Sequence, residues 1–327
     1  MLPLRQPGVV VHNECAKVKT MTNTTIGSAK ESIRPLQTAC RCSHLSNSTV
    51  SRYQYHQDAD CYIPSEGYVK VDRRIKEHRR MRQSLNLAKE VQQNLLPKNC
   101  PDFKGLDIAA KSIYCDETGG DYFDYHDLSE GDHEKLGVAI GDVSGHGIAA
   151  ALLMATVRAA LRQRIALKGS LKDIISDVNR QLVSDVEESG QFIGLFYLIV
   201  DQPKGIIKWV RAGHAPALIY DPETDAVEEL NGPGVALGVD ASLKYQQNIK
   251  SNIKKGQIMV LATDGILEAR NPQGRMFGKD AIAKIVHQFK DAAAKQILDT
   301  VFNDLKRFQQ ETDLEDDVTL VVIKIED

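Results

Sequence analysis

The sequence predicts an α+β fold in which two antiparallel sheets pack face to face with helix pairs outside, preceded by a long amphipathic linker helix. Three observations lead there. Apolar strands come in runs interrupted by pairs of helices, which is not the strict alternation of a doubly wound sheet. Those strands are apolar along their whole length, as strands buried on both faces are. Ahead of them, Met81, Leu85, Ala88, Gln92 and Leu95 recur at 4-3-4-3 spacing, the stripe of an amphipathic helix, which Pro97 stops.

In chain order, residues 1–70 show no sustained period and are rich in Ser, Thr, Asn and Gln, so they read as a low-pattern, disordered segment. Residues 71–97 form the linker helix, with Val71, Ile75 and Val91 beside its stripe and Arg73, Arg74, Lys76, Arg79, Arg80 and Arg82 as a solvated basic half. The body spans residues 98–327. LDIAAKSIYC is its first strand, followed by a Gly-Gly-Asp turn and a second strand, GVAIGDVS. Gly147 opens an Ala/Leu-rich helix, and SLKDIISDVNRQLVSDV makes its partner. FIGLFYLIVD and GIIKWVRAG pair as a hairpin around residues 202–205, with PALIYD continuing the meander. GQIMVLATDG is a buried strand ending in an acidic turn, two helices occupy about 279–290 and 292–310, and DVTLVVIKIE is the last strand.

Charge divides the 327 residues unequally: the first 100 carry a balance of +8 and the remainder −11. An acidic body argues against nucleic acid as ligand, because a phosphate backbone needs neutralising cations. No run of eighteen apolar residues exists to span a bilayer, and the first residues lack the apolar length of a secretory signal, so a cytoplasmic protein is expected. The six cysteines form no paired C-x-x-C set. Cys40, Cys42, His44 and Cys61 could hold zinc, but their spacing is irregular and reduced thiols are the expectation.

Carboxylates gather at predicted strand ends: Asp121 and Asp124 in GGDYFD, Asp142 in GDVSGHG, Asp264 in TDG, and Asp316 with Asp317 in EDDVT. Asp and Gly are also simply what turns contain. Asp142 and Asp264, however, each follow a run of apolar β-formers directly. Strand ends converge at the rim of a sandwich, where carboxylates repel unless a cation sits among them, and oxygen donors suit Mg²⁺ or Mn²⁺.

In order and separation, LAKEVQQNLLP, GGDYFDYHDL, GVAIGDVSGHGIAAALLMA, RAGHAPALIY, GVALGV, GQIMVLATDGILEARNPQGRMFG and DDVTLVVIK resemble the PP2C-like (PPM) metal-dependent Ser/Thr phosphatases of the bacterial RsbU/SpoIIE type, over about residues 84–325. The resemblance implies an αββα sandwich with two Mn²⁺ or Mg²⁺ ions at one end. It implies that Asp142 is shared by both ions, with the Val143 carbonyl beside it. Asp264 and Asp316 (alternatively Asp317) complete one shell and Asp121 supports the other. It further implies a water bridging the ions as the nucleophile toward phosphoserine or phosphothreonine, and a phosphorylated partner protein as substrate, by analogy a STAS-domain anti-sigma-factor antagonist. The linker helix, through Leu85, Ala88, Val91 and Leu95, would be the regulatory element, meeting an activator or a second copy in a homodimer.

The match departs from eukaryotic-type relatives at Ser144, where those carry histidine. No general-acid role therefore passes to His146, which reads as a turn-bonding residue, as does His214. Arg158, Arg211, Arg270 and Arg275 are candidates for phosphate only as cations. Two other functions compete: a catalytically silent binding module on the same fold, and a Mg²⁺-dependent nucleotide cyclase suggested by GGDYFD. The cyclase leaves TDG and DDVT without a role.

Overall fold

The computed structural model describes residues 53–56, 61–130, 134–167, 169–310 and 314–326. The low-pattern reading of residues 1–52 and the zinc alternative around Cys40 and Cys42 lie outside them. The chain divides into two compact units, Met1–Asp72 and Arg73–Asp327.

Part of the segment read as patternless has structure. Strands β1 (Tyr53–His56) and β2 (Cys61–Pro64) pair antiparallel, and helix α1 (Ser65–Leu95) begins six residues earlier than position 71. Pro97 follows its last turn as expected. Leu85, Ala88 and Leu95 are half-buried and Gln92 is buried, so the predicted stripe faces the body from Leu85 onward but not at Met81. Met81, Leu87 and Val91 are exposed, as is the basic run from Arg73 to Arg82, broken only by half-buried Ile75. Among the described residues, no helix is long and apolar enough to cross a membrane.

The body is a four-layer sandwich. One sheet holds β10 (Asn248–Ser251), β7 (Ile206–Ala212), β6 (Ile193–Asp201), β5 (Leu136–Val143) and β4 (Tyr122–Asp127), in that order. The other holds β3 (Leu106–Ile113), β12 (Val318–Ile325), β11 (Ile258–Ala262), β8 (Ala217–Asp221) and β9 (Ala226–Leu230). Every pairing in both is antiparallel. Side-chain alternation explains why the strands are apolar throughout. In β6, Phe196 and Leu198 face the layer between the sheets, while Leu195 and Tyr197 face outward to helices α2 (Gly147–Ile165) and α3 (Leu171–Val186). In β12, Val321 and Ile323 point inward, and Leu320 and Val322 meet helices α5 (Gly278–Gln288) and α6 (Ala294–Phe308).

Three strands escape a reading by apolar pattern. β4 carries Asp124 and His126 on its buried face, β9 is an exposed edge, and β10 is a four-residue edge strand of mostly polar sequence. The predicted meander is also corrected. PALIYD does not pair with β7; the chain crosses between the sheets at residues 213–216, and β8 pairs with β11 and β9. The acidic turn after β11 is a one-turn helix, α4 (Asp264–Leu267).

Candidate metal centre

Four strand ends meet at one end of the sandwich. β4 begins just after Asp121, β5 ends on Asp142 and Val143, β11 leads into Thr263 and Asp264, and β12 begins just after Asp316 and Asp317. The β4–β5 register pairs Tyr122 with Gly141, so one step further sets Asp121 opposite Asp142. In the second sheet, Ala262 pairs with Leu320, and Thr263 donates its N–H to Thr319 at 3.1 Å. The Thr263 hydroxyl then reaches across the sandwich and donates to Asp121 Oδ2 at 2.8 Å. This bond ties the two sheets together at the carboxylates.

Asp121 is 1% exposed, and its Oδ1 is buried without a hydrogen-bond partner. Burial first, and then the Asp142 charge, holds its pKa well above the carboxylate range, against the bonds from Thr319 and Thr263. Burial, followed by Asp264 and Asp316, pushes Asp142 up to about 8. Asp264 is raised by burial and then by Asp316. Carboxylates so placed suppress each other's ionisation, and a divalent cation relieves both the repulsion and the desolvation. They approach without closing: among the described residues, no three His, Cys, Asp or Glu side chains form a ready coordination shell.

The adjoining backbone suits the same ligand. Gly120 faces the Val143 carbonyl oxygen, and a Cβ there would lie 2.9 Å from it, so glycine leaves this acceptor open. Gly265 backs onto β12 so closely that a Cβ would fall 1.9 Å from the Asp317 main-chain oxygen. Orphaned Oδ1, open carbonyl and hard oxygen donors together fit Mn²⁺ or Mg²⁺. Asp121, Asp142, Asp264, Asp316 and the Val143 carbonyl could hold the ions.

The neighbours Asp316 and Asp317 make different contacts. The Asp317 carboxylate accepts the N–H groups of Cys115 at 2.9 Å, Gly120 at 2.6 Å and Asp121 at 3.4 Å, so it fixes the turn leading to Asp121. Asp316 lies near enough to Asp142 and Asp264 to raise both. Asp124 does not join the cluster; Arg162 and Arg158 take it up.

Three of the four candidate arginines are engaged elsewhere. Arg158 sits on Asp124, Arg211 donates to the carbonyls of His214 and Gly232, and Arg270 donates to that of Gly274. Arg275 is exposed on the following loop. His146 pairs through Nδ1 with Asp116 at 2.6 Å, and His214 bonds through Nδ1 to the Ala215 carbonyl at 2.8 Å. In the sequence Gln92 stands out only as a position of the stripe. Its side chain bonds both backbone groups of Gly119, two residues before Asp121. A polar residue at a core-facing position was the available signal.

The chain is similar to known proteins in sequence and in fold. RsbU of Bacillus subtilis, a phosphoserine phosphatase, is 29% identical over 244 residues, covering 75% of this chain and 70% of that one. The chain spans 41% and 46% of two longer relatives, IcfG of Synechocystis and RsbP of B. subtilis. The SiaA PP2C domain of Pseudomonas aeruginosa superposes with a TM-score of 0.67 at 21% identity, over 76% of this chain and 99% of that domain. RsbX, crystallised in complex with magnesium, superposes at 0.52 with 15% identity, over 70% and 99%. These structural likenesses establish a PP2C fold. The model of the Stage II sporulation protein E (SpoIIE) family matches residues 132–326, and the chain belongs to that family.

Proposed function

We propose that this chain is a metal-dependent protein serine/threonine phosphatase whose centre is formed by Asp121, Asp142, Val143, Asp264 and Asp316. The observation that carries the reading is the convergence of carboxylates from both sheets on one rim, with Asp121 Oδ1 buried and unpartnered. Two Mn²⁺ or Mg²⁺ ions bound there would supply an activated water for in-line attack on phosphorus and offset charge on the phosphoryl oxygens. The protein's own part is orientation. Thr263 fixes one oxygen of Asp121 and leaves the other for a cation. Asp317 sets the backbone before Asp121, and Gly120 keeps the Val143 carbonyl accessible.

The substrate is a phosphorylated seryl or threonyl side chain on a partner protein. RsbU supports phosphoserine, and the family resemblance supports a STAS-domain anti-sigma-factor antagonist as the carrier. Regulation falls to α1, whose Leu85, Ala88 and Leu95 face the body while Val91 remains free for an activator or a second copy.

The test is hydrolysis of p-nitrophenyl phosphate and a phosphoserine peptide with Mn²⁺, with Mg²⁺ and with EDTA. Turnover should require metal and vanish in Asp142→Asn, which removes the shared ligand while melting as the wild type does. Hydrolysis at the wild-type rate by that variant would refute the site. Neither turnover nor calorimetric metal binding would establish the silent binding module instead.

A further inference from the structure

The face of β4 turned toward α2 carries a buried charge cluster that the proposed chemistry does not use. Asp124 is fully buried, and Arg162 grips it with both prongs: Nε donates to Oδ2 and Nη2 to Oδ1, each at 2.6 Å. Arg158, one helical turn earlier, brings its Nε to 3.4 Å from Oδ2 without hydrogen-bond geometry. His126 Nε2 lies 3.7 Å from the same oxygen, and Tyr197 OH is 3.4 Å from His126 Nδ1. The network is incompletely satisfied, since Tyr122 OH, His126 Nε2 and Arg158 Nε are buried without hydrogen-bond partners.

Such a cluster is a poor source of stability. Desolvation of buried ions consumes most of their attraction, and well-packed apolar side chains commonly do as well. What a two-pronged Arg–carboxylate pair supplies is a fixed geometry. The geometry fixed here is that of the segments on either side of the metal centre. α2 begins just after the turn that follows Asp142 and Val143, and β4 begins just after Asp121. The two elements touch at two heights. At the near end, a Cβ on Gly120 would lie 3.2 Å from that of Ala150; three residues beyond Asp121, Arg158 and Arg162 hold Asp124. Between these points, the Tyr122 ring covers Gly141, the residue before Asp142.

We infer that Asp124, Arg158 and Arg162 form a clamp that locks β4 against α2 and thereby holds Asp121 opposite Asp142. These are positioning residues, and the inference rests on the metal-centre reading above. If the clamp acts this way, loosening it weakens metal binding more than it weakens the fold.

The full chain is assayed for p-nitrophenyl phosphate hydrolysis across a Mn²⁺ titration, with Mn²⁺ calorimetry and thermal melting in parallel. Arg162→Lys keeps the charge and loses the fork, so it remains folded where Asp124→Asn, which strands two arginines, fails to fold. Arg162→Lys should raise the half-saturating Mn²⁺ concentration by about tenfold, the scale of outer-shell effects on metal sites. Its kcat at saturating Mn²⁺ should stay within about twofold, and calorimetry should show the same loss of affinity. A lowered melting temperature with unchanged Mn²⁺ half-saturation would mean that the cluster is structural only, and the clamp is overturned. A wild-type chain that binds no Mn²⁺ overturns the metal centre itself, and the clamp with it.

Discussion

Gln92 on α1 and Gly119 in the turn before Asp121 exchange two hydrogen bonds: the side-chain amide donates to the Gly119 carbonyl at 2.6 Å, and its oxygen accepts the Gly119 N–H at 3.1 Å. A side-chain amide here does the work of a paired backbone strand. It ties the linker helix to the segment that carries a candidate metal ligand.

Gln92→Ala leaves both backbone groups of a buried glycine unpaired, a cost of about 1–3 kcal/mol per group where water cannot replace the bond. The expected result is reduced turnover that excess Mn²⁺ partly restores, measured by metal titration. Unchanged half-saturation would uncouple α1 from the centre.

Replacing both Leu85 and Leu95 by Asp places charge on the half-buried face of α1. Activity should fall while the melting temperature of the body stays close to that of the wild type, because the sandwich has its own core. Unchanged turnover and unchanged mass in solution would remove α1 from regulation.

Gly265→Ala is expected to be severe. Its Cβ would overlap the Asp317 main-chain oxygen, and no rotamer change can move a backbone atom. Loss of soluble protein, or a large drop in melting temperature, is the expected outcome; a wild-type melting curve would contradict the close approach of α4 to β12.

His214 is buried, and burial lowers its pKa from 6.5 to about 4, with Arg211 adding to the effect and the bond to Ala215 opposing it. The folded state therefore resists a proton that the unfolded state accepts. Stability is complete above about pH 6.5 and falls as pH drops toward 4, by about 1.4 kcal/mol per unit of pKa difference. Chemical denaturation across that window should show the slope, and His214→Phe should flatten it. His126, lowered to about 4 by burial, adds a slope of the same sign.

The pattern of apolar residues alone determined the layers. β5, β6, β11 and β12 are apolar on both faces because both faces are covered, and the 4-3-4-3 stripe located the face of α1 that meets the body. The ordered motifs likewise named Asp121, Asp142, Asp264 and the Asp316–Asp317 pair, since each sits where a strand ends. Pairing across long separations was invisible to that reading. Whether PALIYD stayed beside β7 or crossed to β11 depends on which sheet offers a free edge, and local pattern does not record that. The contacts of the Asp317 carboxylate are set by the backbone N–H groups of Cys115, Gly120 and Asp121, about two hundred residues earlier in the chain. Asp124, another strand-end carboxylate of the same motif as Asp121, is held by two arginines of α2. Sequence fixes which side chains can carry charge into the interior. Only the tertiary structure decides which opposite charge or which backbone dipole meets each of them there, because an unpaired ion is too costly to bury.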